Sequence, residues 1–265
     1  MSESVTEPPA DLPVDPDEGI GEDRLLGGRV RFLQTRRGYR PGLDAALLAA
    51  ACDARPGERV VDLGCGAGAV LLATAARRPQ VRLTGIERDP AALALVRRNI
   101  VLNGLQDRAD ALQGDAGARF SDLGLEPFDA ALCNPPFFDD RGALRGPSPE
   151  RAGAYLADDG LEAWTQFLVK AVREGGRITL VHRADRLADI LGLLAPKAGS
   201  FRIRPVHPFA EAPAKRVLVQ AVKTGKAPLL LLPPLVAHER GGPHHARHTP
   251  RVEAILRGEA ELDWG

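Results

Sequence analysis

Residues 134–137 read Asn-Pro-Pro-Phe and directly follow a short apolar run. Two consecutive prolines lack the N–H donors that a strand interior needs, so a β-strand must end there with its carbonyls unpaired. The side-chain oxygen of Asn134 and the carbonyl of Pro135 can accept both hydrogens of a planar amino group, which favours a pyramidal, nucleophilic nitrogen. Phe137 offers a ring for stacking on a target base, as an extruded base requires. The segment predicts chemistry at an amino nitrogen; a proline-stiffened turn without a ligand is the alternative.

A second motif, Asp-Leu-Gly-Cys-Gly-Ala-Gly at 62–68, follows a strand pattern and opens a helical one. Gly64 and Gly66 let the backbone approach a ligand closely, and the helix start offers unpaired N–H groups. A nicotinamide cofactor favours a G-x-G-x-x-G spacing that is absent here. Asp62 suits a loop that faces the cationic methionine end of S-adenosylmethionine. We therefore expect S-adenosylmethionine as the cofactor, with a ligand-free glycine turn as the alternative.

Two further carboxylates and one basic segment fall at places where they can bind the same cofactor. Glu87 closes the next predicted strand and can accept hydrogen bonds from both ribose hydroxyls. Asp115 follows the third strand in a Gly-Asp turn, where it can accept from the adenine amino group. Tyr39 and Arg40 lie in an arginine-rich segment beside a helix start, so we expect them at a phosphate-contacting lip next to the cofactor. A solvated basic face is the alternative for this segment.

The zero net charge of the 265-residue chain hides an uneven distribution. The first 23 residues hold eight acidic residues and no basic ones, which leaves 35 basic against 27 acidic residues in the remainder. Thirty of the basic residues are arginines, whose planar fork suits phosphates and base edges. This surplus predicts an RNA partner, although a genome rich in G and C would also enrich arginine.

Composition restricts the class of protein. With 44% hydrophobic residues the chain is not predominantly disordered. No apolar run reaches the roughly 18–20 residues of a membrane helix, so we expect no membrane partner. Three widely spaced cysteines and the lack of a signal-peptide pattern predict a cytoplasmic protein. His244, His245 and His248 lie in a Gly/Pro-rich loop without nearby Cys or carboxylate partners, so we expect no metal.

The elements that must position these motifs alternate between strands and helices. We predict strands at Arg59–Leu63, Val81–Glu87, Ala109–Gln113, Phe128–Cys133 and Gly176–His182, and helices at Ala67–Arg78, Pro90–Asn103, Leu161–Val172 and Arg186–Leu194. Strands at Phe201–Pro205 and Arg216–Val222 have only a Pro-rich loop between them and form an antiparallel edge pair. The pattern predicts a doubly wound, Rossmann-like α/β fold. Its mixed sheet has seven strands, with an antiparallel C-terminal edge strand.

The same pattern predicts how the chain divides. Residues 1–23 form a disordered acidic tail, because they combine prolines with acids and offer almost nothing to bury. Residues 24–265 form one domain with a core at about 40–223. Its extension, 224–265, is loop-like from Pro228 onward except for one short helix around Val252–Arg257.

With these motifs in view, the chain resembles class I S-adenosylmethionine-dependent methyltransferases of the amino-methylating type. Within them it is most similar to the bacterial family that N6-methylates adenine 37 of tRNA1(Val). The more specific matches are Leu33-Gln34 followed by Gly38-Tyr39-Arg40, then Asp44-Ala45, the run 182–187 and the run 213–216. Where family members often carry His-Glu, this chain reads Tyr155-Leu156-Ala157-Asp158.

The resemblance implies a fold, a site and a reaction. The cofactor lies over Gly64, Gly66, Glu87 and Asp115, and the target amine lies at Asn134 and Pro135. The implied reaction is N-methylation of an exocyclic amino group of a nucleobase, in the first place adenine N6 in tRNA. The same acceptors suit guanine N2 of rRNA or a glutamine side chain of a protein. A non-catalytic RNA-binding protein with a vestigial cofactor fold is the alternative from another class.

Overall fold

The computed structural model describes residues 19–36, 42–136, 160–240 and 246–265. In chain order its elements are β1 (Ile20–Leu25), β2 (Val30–Thr35), α1 (Leu43–Ala50), β3 (Arg59–Leu63), α2 (Ala69–Arg77), β4 (Arg82–Glu87), α3 (Pro90–Leu102), β5 (Ala109–Gln113), β6 (Phe128–Cys133), α4 (Gly160–Ala171), β7 (Val172–Arg183), α5 (Leu187–Leu194), β8 (Ala198–His207), β9 (Arg216–Lys223), β10 (Leu230–Leu231), β11 (Leu235–Val236), β12 (His238–Arg240), β13 (Ala246–His248) and α6 (Pro250–Leu256).

One large sheet carries the fold, in the order β10-β8-β9-β7-β6-β3-β4-β5 with β11 also pairing with β8. β3 to β7 run parallel to one another. α2, α3 and α4 form three of the four crossover connections, and a short 3-10 helix at Phe120–Leu123 lies in the fourth, between β5 and β6. Val60, Val61 and Leu63 of the central strand are at most 1% exposed, because the sheet is covered on both faces. The predicted α/β fold with a mixed sheet is confirmed.

The far edge of this sheet differs in detail from the prediction. The antiparallel strand β9 lies between β7 and β8 instead of at the edge. Beyond β8 the two short strands β10 and β11 extend the seven long strands to a nine-stranded sheet. These strands have two residues each and are separated by Pro233 and Pro234, so they are too short to show an alternating pattern in the sequence.

The N-terminal hairpin of β1 and β2 was not predicted. Ile20 to Asp23 lie in β1, so the prediction of a disordered tail is wrong for these residues, whereas residues 1–18 lie outside the described residues. The acids that suggested a solvated tail have partners across the hairpin. Glu22 accepts two hydrogen bonds from Arg31, at 2.8 and 2.9 Å, and Asp23 accepts one from Gln34.

Two asparagines attach this hairpin to the domain, Asn99 in α3 and Asn103 at the C-terminal cap of that helix. Asn99 accepts the N–H of Leu33 at 2.7 Å and donates to the carbonyls of Leu33 and Ala67, both at 2.9 Å. Asn103, one turn later on the same helix face, pairs in the same way with the N–H and carbonyl of Arg31. The helix thus takes the place of a neighbouring strand along β2. Asn99 also ties β2 to the glycine segment at 62–68.

The C-terminal extension packs onto the first two helices. The guanidinium of Arg77 in α2, which is fully buried, donates to the carbonyls of Ile255 and Ala260. The indole N–H of Trp264 donates to the carbonyl of Ala51 at 2.8 Å, and Trp264 as a whole is 5% exposed. The extension therefore covers part of the same hydrophobic core as α1 and α2.

We expect Asn99→Ala to lower the free energy of unfolding by about 2–3 kcal/mol, because half-buried N–H and C=O groups of Leu33 and Ala67 lose a fully buried partner. Urea unfolding monitored by circular dichroism measures this loss. Asn103→Ala is the matched control. Its partners at Arg31 are exposed and can bond to water, so its cost should stay below about 1 kcal/mol. Equal losses in the two variants would contradict the role assigned to Asn99.

Candidate active site

The site residues predicted from the sequence lie at or just after the carboxyl ends of adjacent parallel strands. Asp62 and Gly64 lie at the end of β3, and Glu87 is the last residue of β4. Asp115 comes two residues after β5, and Asn134 comes directly after β6. Because these strands are neighbours, their ends meet at one edge of the sheet. β3 lies where the strand order reverses, which is the place where open α/β sheets bind their ligands.

The glycine segment turns sharply at this edge. Gly64 has a φ of +68° and Gly66 a φ of +55°, both in the left-handed region that favours glycine. A Cβ atom at Gly64 would lie 2.5 Å from the ring of Trp164 in α4, whereas one at Gly66 would meet nothing within 4 Å. Packing against Trp164 therefore fixes Gly64. The open space at Gly66 lets a ligand reach the main chain.

Glu87 holds the glycine segment in place. Its two carboxylate oxygens accept the N–H groups of Gly66 and Asp89, both at 2.8 Å. Asp89 in turn caps α3 by accepting the N–H of Ala91 at 3.1 Å. Each oxygen of Glu87 keeps a second acceptor position, so the carboxylate can still accept from a ligand hydroxyl. The sequence predicted the ligand role alone, and the structure adds this supporting one.

Asp62 is a buried acid with an unused acceptor. It is 2% exposed, and its Oδ2 atom has no hydrogen-bond partner among the described residues. Burial raises the pKa of this carboxyl to about 8 despite the hydrogen bond from the Leu71 N–H, and the negative charge of Glu87 adds to the rise. A carboxyl in this state gains most from a cationic ligand, which favours its charged form.

Asn134 presents the second unused acceptor. Its Oδ1 atom is buried and has no partner in the described part of the chain, and Pro135 beside it is also buried. Cys133 precedes it, and burial together with the nearby Asp62 carboxyl raises the pKa of the Cys133 thiol well above its usual value. The thiol stays protonated and is therefore no nucleophile. Buried acceptors without partners are rare in native proteins, so this oxygen is available to a ligand.

The remaining predicted site residues differ in what the structure describes. The side chain of Asp115 is 44% exposed, accepts the N–H of Gly117 at 2.9 Å and lies 3.8 Å from the guanidinium of Arg88. It lies at the same edge as Glu87 and is accessible. Tyr39, Arg40 and Phe137 lie outside the described residues.

Sequence reasoning missed two contributors to the site. Trp164 packs on Gly64, and Asn99 holds the glycine segment through Ala67. The signal for Asn99 was present, because an asparagine within the apolar face of a helix implies a buried hydrogen-bond role. The contact of Trp164 joins residues far apart in the chain, so no local pattern indicates it.

The described residues include neither a candidate metal centre nor a membrane-spanning helix. Within the ranges that the structure describes, no group of three or more His, Cys, Asp or Glu side chains could hold a metal ion. His248 lies 3.2 Å from Glu253, whereas His244 and His245 fall outside those ranges. No helix among the described elements is long and apolar enough to cross a bilayer.

Comparison with known proteins gives consistent results. Residues 42–160 match the methyltransferase small domain. The tRNA1(Val) (adenine(37)-N6)-methyltransferase of Porphyromonas gingivalis is 31% identical over 193 residues, which are 70% of this chain and 75% of that protein. The release factor glutamine methyltransferase of Gloeobacter violaceus is 33% identical over 168 residues, or 60% and 57% of the two chains. A predicted O-methyltransferase from Agrobacterium tumefaciens, Atu636, has a TM-score of 0.68 at 29% identity and covers 83% of this chain and 98% of its own.

The chain matches this domain and has a doubly wound sheet, with an open glycine turn at the point where the strand order reverses. These features define an S-adenosylmethionine-dependent methyltransferase. The match to the P. gingivalis enzyme covers 75% of that protein, which identifies the family within this class. The chain belongs to the tRNA1(Val) (adenine(37)-N6)-methyltransferase family. This confirms the family and the cofactor that the sequence predicted.

The residues present fit this cofactor. Asp62 offers a buried carboxyl whose charged form an ammonium group would favour, Glu87 can accept from ribose hydroxyls, and Gly66 leaves space for close approach. When bound, S-adenosylmethionine supplies an electrophilic methyl group on a sulfonium. Asn134 and Pro135 follow β6, the strand next to that of Asp62, and there they can hold the nitrogen that receives the methyl group.

The raised pKa of Asp62 predicts a pH-dependent stability of the cofactor-free protein. Between the ordinary Asp value of about 3.9 and about pH 8 the unfolded chain ionises Asp62 while the folded protein keeps it protonated, so stability falls as pH rises. Asp62→Asn removes this titration. We expect its melting temperature to lie close to that of the parent near pH 4 and to exceed it by several degrees near pH 8.5.

Thermal unfolding at the two pH values measures this difference. The same variant should bind S-adenosylmethionine more weakly, because an amide carries no charge. A melting difference that is the same at both pH values would show that Asp62 does not titrate as its burial implies.

Glu87→Ala should weaken S-adenosylmethionine binding by on the order of 2–3 kcal/mol, because it removes a charged acceptor and releases the N–H of Gly66. Isothermal calorimetry measures the dissociation constant. Asp89→Ala is the control, since it removes the cap of α3 but leaves the Glu87 carboxylate in place. The control should lose about 1 kcal/mol of stability and no cofactor affinity. An unchanged dissociation constant for Glu87→Ala would remove this residue from the site.

Proposed function

We propose that this methyltransferase acts on an exocyclic amino group of a nucleobase, and that its substrate is the N6 atom of an adenine in tRNA, of the tRNA1(Val) adenine 37 type. The observation that carries the proposal is the buried Oδ1 atom of Asn134 after β6, which has no hydrogen-bond partner among the described residues. The match to the P. gingivalis enzyme over 75% of its length supports the tRNA substrate. As a tRNA-modifying enzyme it would act in the cytoplasm.

The acceptors at Asn134 suit the chemical difficulty of this substrate. The lone pair of an exocyclic amine is delocalised into the base, so the nitrogen is a poor nucleophile in its planar state. Asn134 Oδ1 and the Pro135 carbonyl can accept hydrogen bonds from the two N–H groups of the amine, which favours a pyramidal nitrogen. Since Pro135 and Pro136 stiffen the backbone, these acceptors are held in place before the substrate binds. The catalytic effect is alignment and preorganised electrostatics.

A glutamine side chain of a protein is the second candidate substrate. Its amide nitrogen is planar for the same reason and suits the same acceptors, and the G. violaceus release factor enzyme is 33% identical. That match covers only 57% of the relative, against 75% for the tRNA enzyme. The surplus of arginine outside the acidic N-terminal segment also favours a nucleic acid.

Asn134→Ala should lower the methyl-transfer rate by roughly 10²–10³-fold, because one preorganised contact to the reacting nitrogen is lost. Its affinity for S-adenosylmethionine should change little, since Asp62, Glu87 and the glycine segment remain. Single-turnover kinetics with saturating cofactor and total bacterial tRNA measure the rate, and mass spectrometry of the nucleosides identifies the methylated base.

Asn134→Asp is the matched variant, because it keeps the shape and an acceptor; it should retain more activity than Asn134→Ala. Near-normal turnover of Asn134→Ala would contradict the assignment to amino methylation. A parent enzyme that methylates a release factor peptide but no tRNA would instead support the glutamine substrate.

A further inference from the structure

Four planar side chains form a continuous series of contacts outside the methyltransferase site, in which one ring pair is tilted and one is stacked. The guanidinium carbon of Arg240 lies 5.5 Å from the ring centroid of Phe209, and Phe209 lies 5.9 Å from His238. His238 stacks on His248 at 5.0 Å with an interplanar angle of 27°. We call these four residues the ring ladder. We propose that it binds single-stranded RNA beside the target nucleotide, an inference that rests on the proposed function.

The backbone fixes the ladder at the carboxyl end of β8. The N–H of Ala237 donates to His207 at 2.7 Å, and the N–H of His238 donates to Pro208 at 2.9 Å. β12 and β13 pair His238 with His248, and the N–H of Thr249 donates to Ala237 at 3.1 Å. The ladder is therefore a built part of the fold.

The ladder and the acceptor site lie along the same edge of the sheet. β8 runs parallel to β6 through the intervening antiparallel β9, so the end of β8 faces the same side as Asn134. Three strand steps separate β6 from β8 and a fourth leads to β11. At about 4.8 Å a step, this separation is roughly 14–19 Å, which a few nucleotides span.

The chemistry of the ladder suits unpaired bases. Aromatic faces and guanidinium planes stack on nucleobases of any sequence, and arginine also pairs with phosphate. The side chain of Arg240 is 75% exposed. Its ion pair with Glu211, at 2.7 Å, is exposed on both sides and therefore weak, so Arg240 can exchange this partner for a phosphate. His248 faces Glu253 and is one-third exposed.

The test compares Phe209→Leu with Phe209→Tyr in the full chain. Leucine keeps the apolar packing but removes the aromatic face, whereas tyrosine keeps it. For Phe209→Leu we expect the KM for tRNA to rise about 5- to 30-fold with kcat nearly unchanged. Phe209→Tyr should restore the parental KM. S-adenosylmethionine affinity and melting temperature should be the same in all three proteins, which excludes a general loss of folding.

Comparing Arg240→Ala with Arg82→Ala distinguishes binding of tRNA by the ring ladder from general attraction of tRNA to positive charge. Arg82 is exposed at the amino end of β4, on the opposite edge, so its loss changes the net charge equally. Arg240→Ala should raise the KM for tRNA, whereas Arg82→Ala should change it less than twofold. Equal effects of the two arginines would overturn the proposal, because they would indicate general attraction to a polyanion.

Direct binding distinguishes failure of this proposal from failure of the proposed function. The probes are a fluorescent RNA stem-loop with adenines in its loop and a blunt RNA duplex. We expect Phe209→Leu to weaken stem-loop binding at least fivefold and to leave duplex binding unchanged. If the parent binds the stem-loop through Phe209 but methylates no tRNA, the ladder stands and the proposed function fails. Stem-loop binding that is unaffected by both Phe209→Leu and Arg240→Ala overturns the ladder, whatever the methylation shows.

Discussion

The carboxylate of Glu87 is the interaction on which the cofactor edge of the sheet depends. It accepts one N–H from the glycine segment and another from the start of α3, and so joins the ends of β3 and β4 to a helix. Asn99 reaches the same segment from the other end of that helix through the carbonyl of Ala67. Both hydrogen-bonding side chains are at most 8% exposed, so little water competes for their bonds. The turn at Gly66 is consequently shaped before any ligand arrives.

The parts of the fold that follow local rules were predictable. β5 and β6 match their predicted bounds because each is a short apolar run between turn residues, and α3 begins at Pro90 after the cap at Asp89. The family and the cofactor were also predictable, since the residues that indicate them, at 62–68 and 134–137, are contiguous in the sequence. Tyr39, Arg40 and Phe137 remain predictions.

What the sequence did not indicate depends on partners far away in the chain. In the sequence the acidic residues of β1 resemble a solvated tail, but in the fold Arg31 and Gln34 of β2 bond to them. Trp164 shows no sign of its contact with Gly64, a hundred residues earlier. The position of β9 between β7 and β8 depends on sheet order, which strand patterns alone do not determine. Such contacts follow from the assembled fold, where the pairing of one element decides the surroundings of the next.

The bond between Trp264 and Ala51 spans 213 residues of chain, and it has a kinetic consequence. Closing so long a loop is entropically costly, and contacts of this separation slow folding. The part of the Ala- and Leu-rich surface of α1 that the C-terminal extension covers stays without that cover until Trp264 has been translated. Apolar surface that is covered late favours aggregation of the partly folded chain.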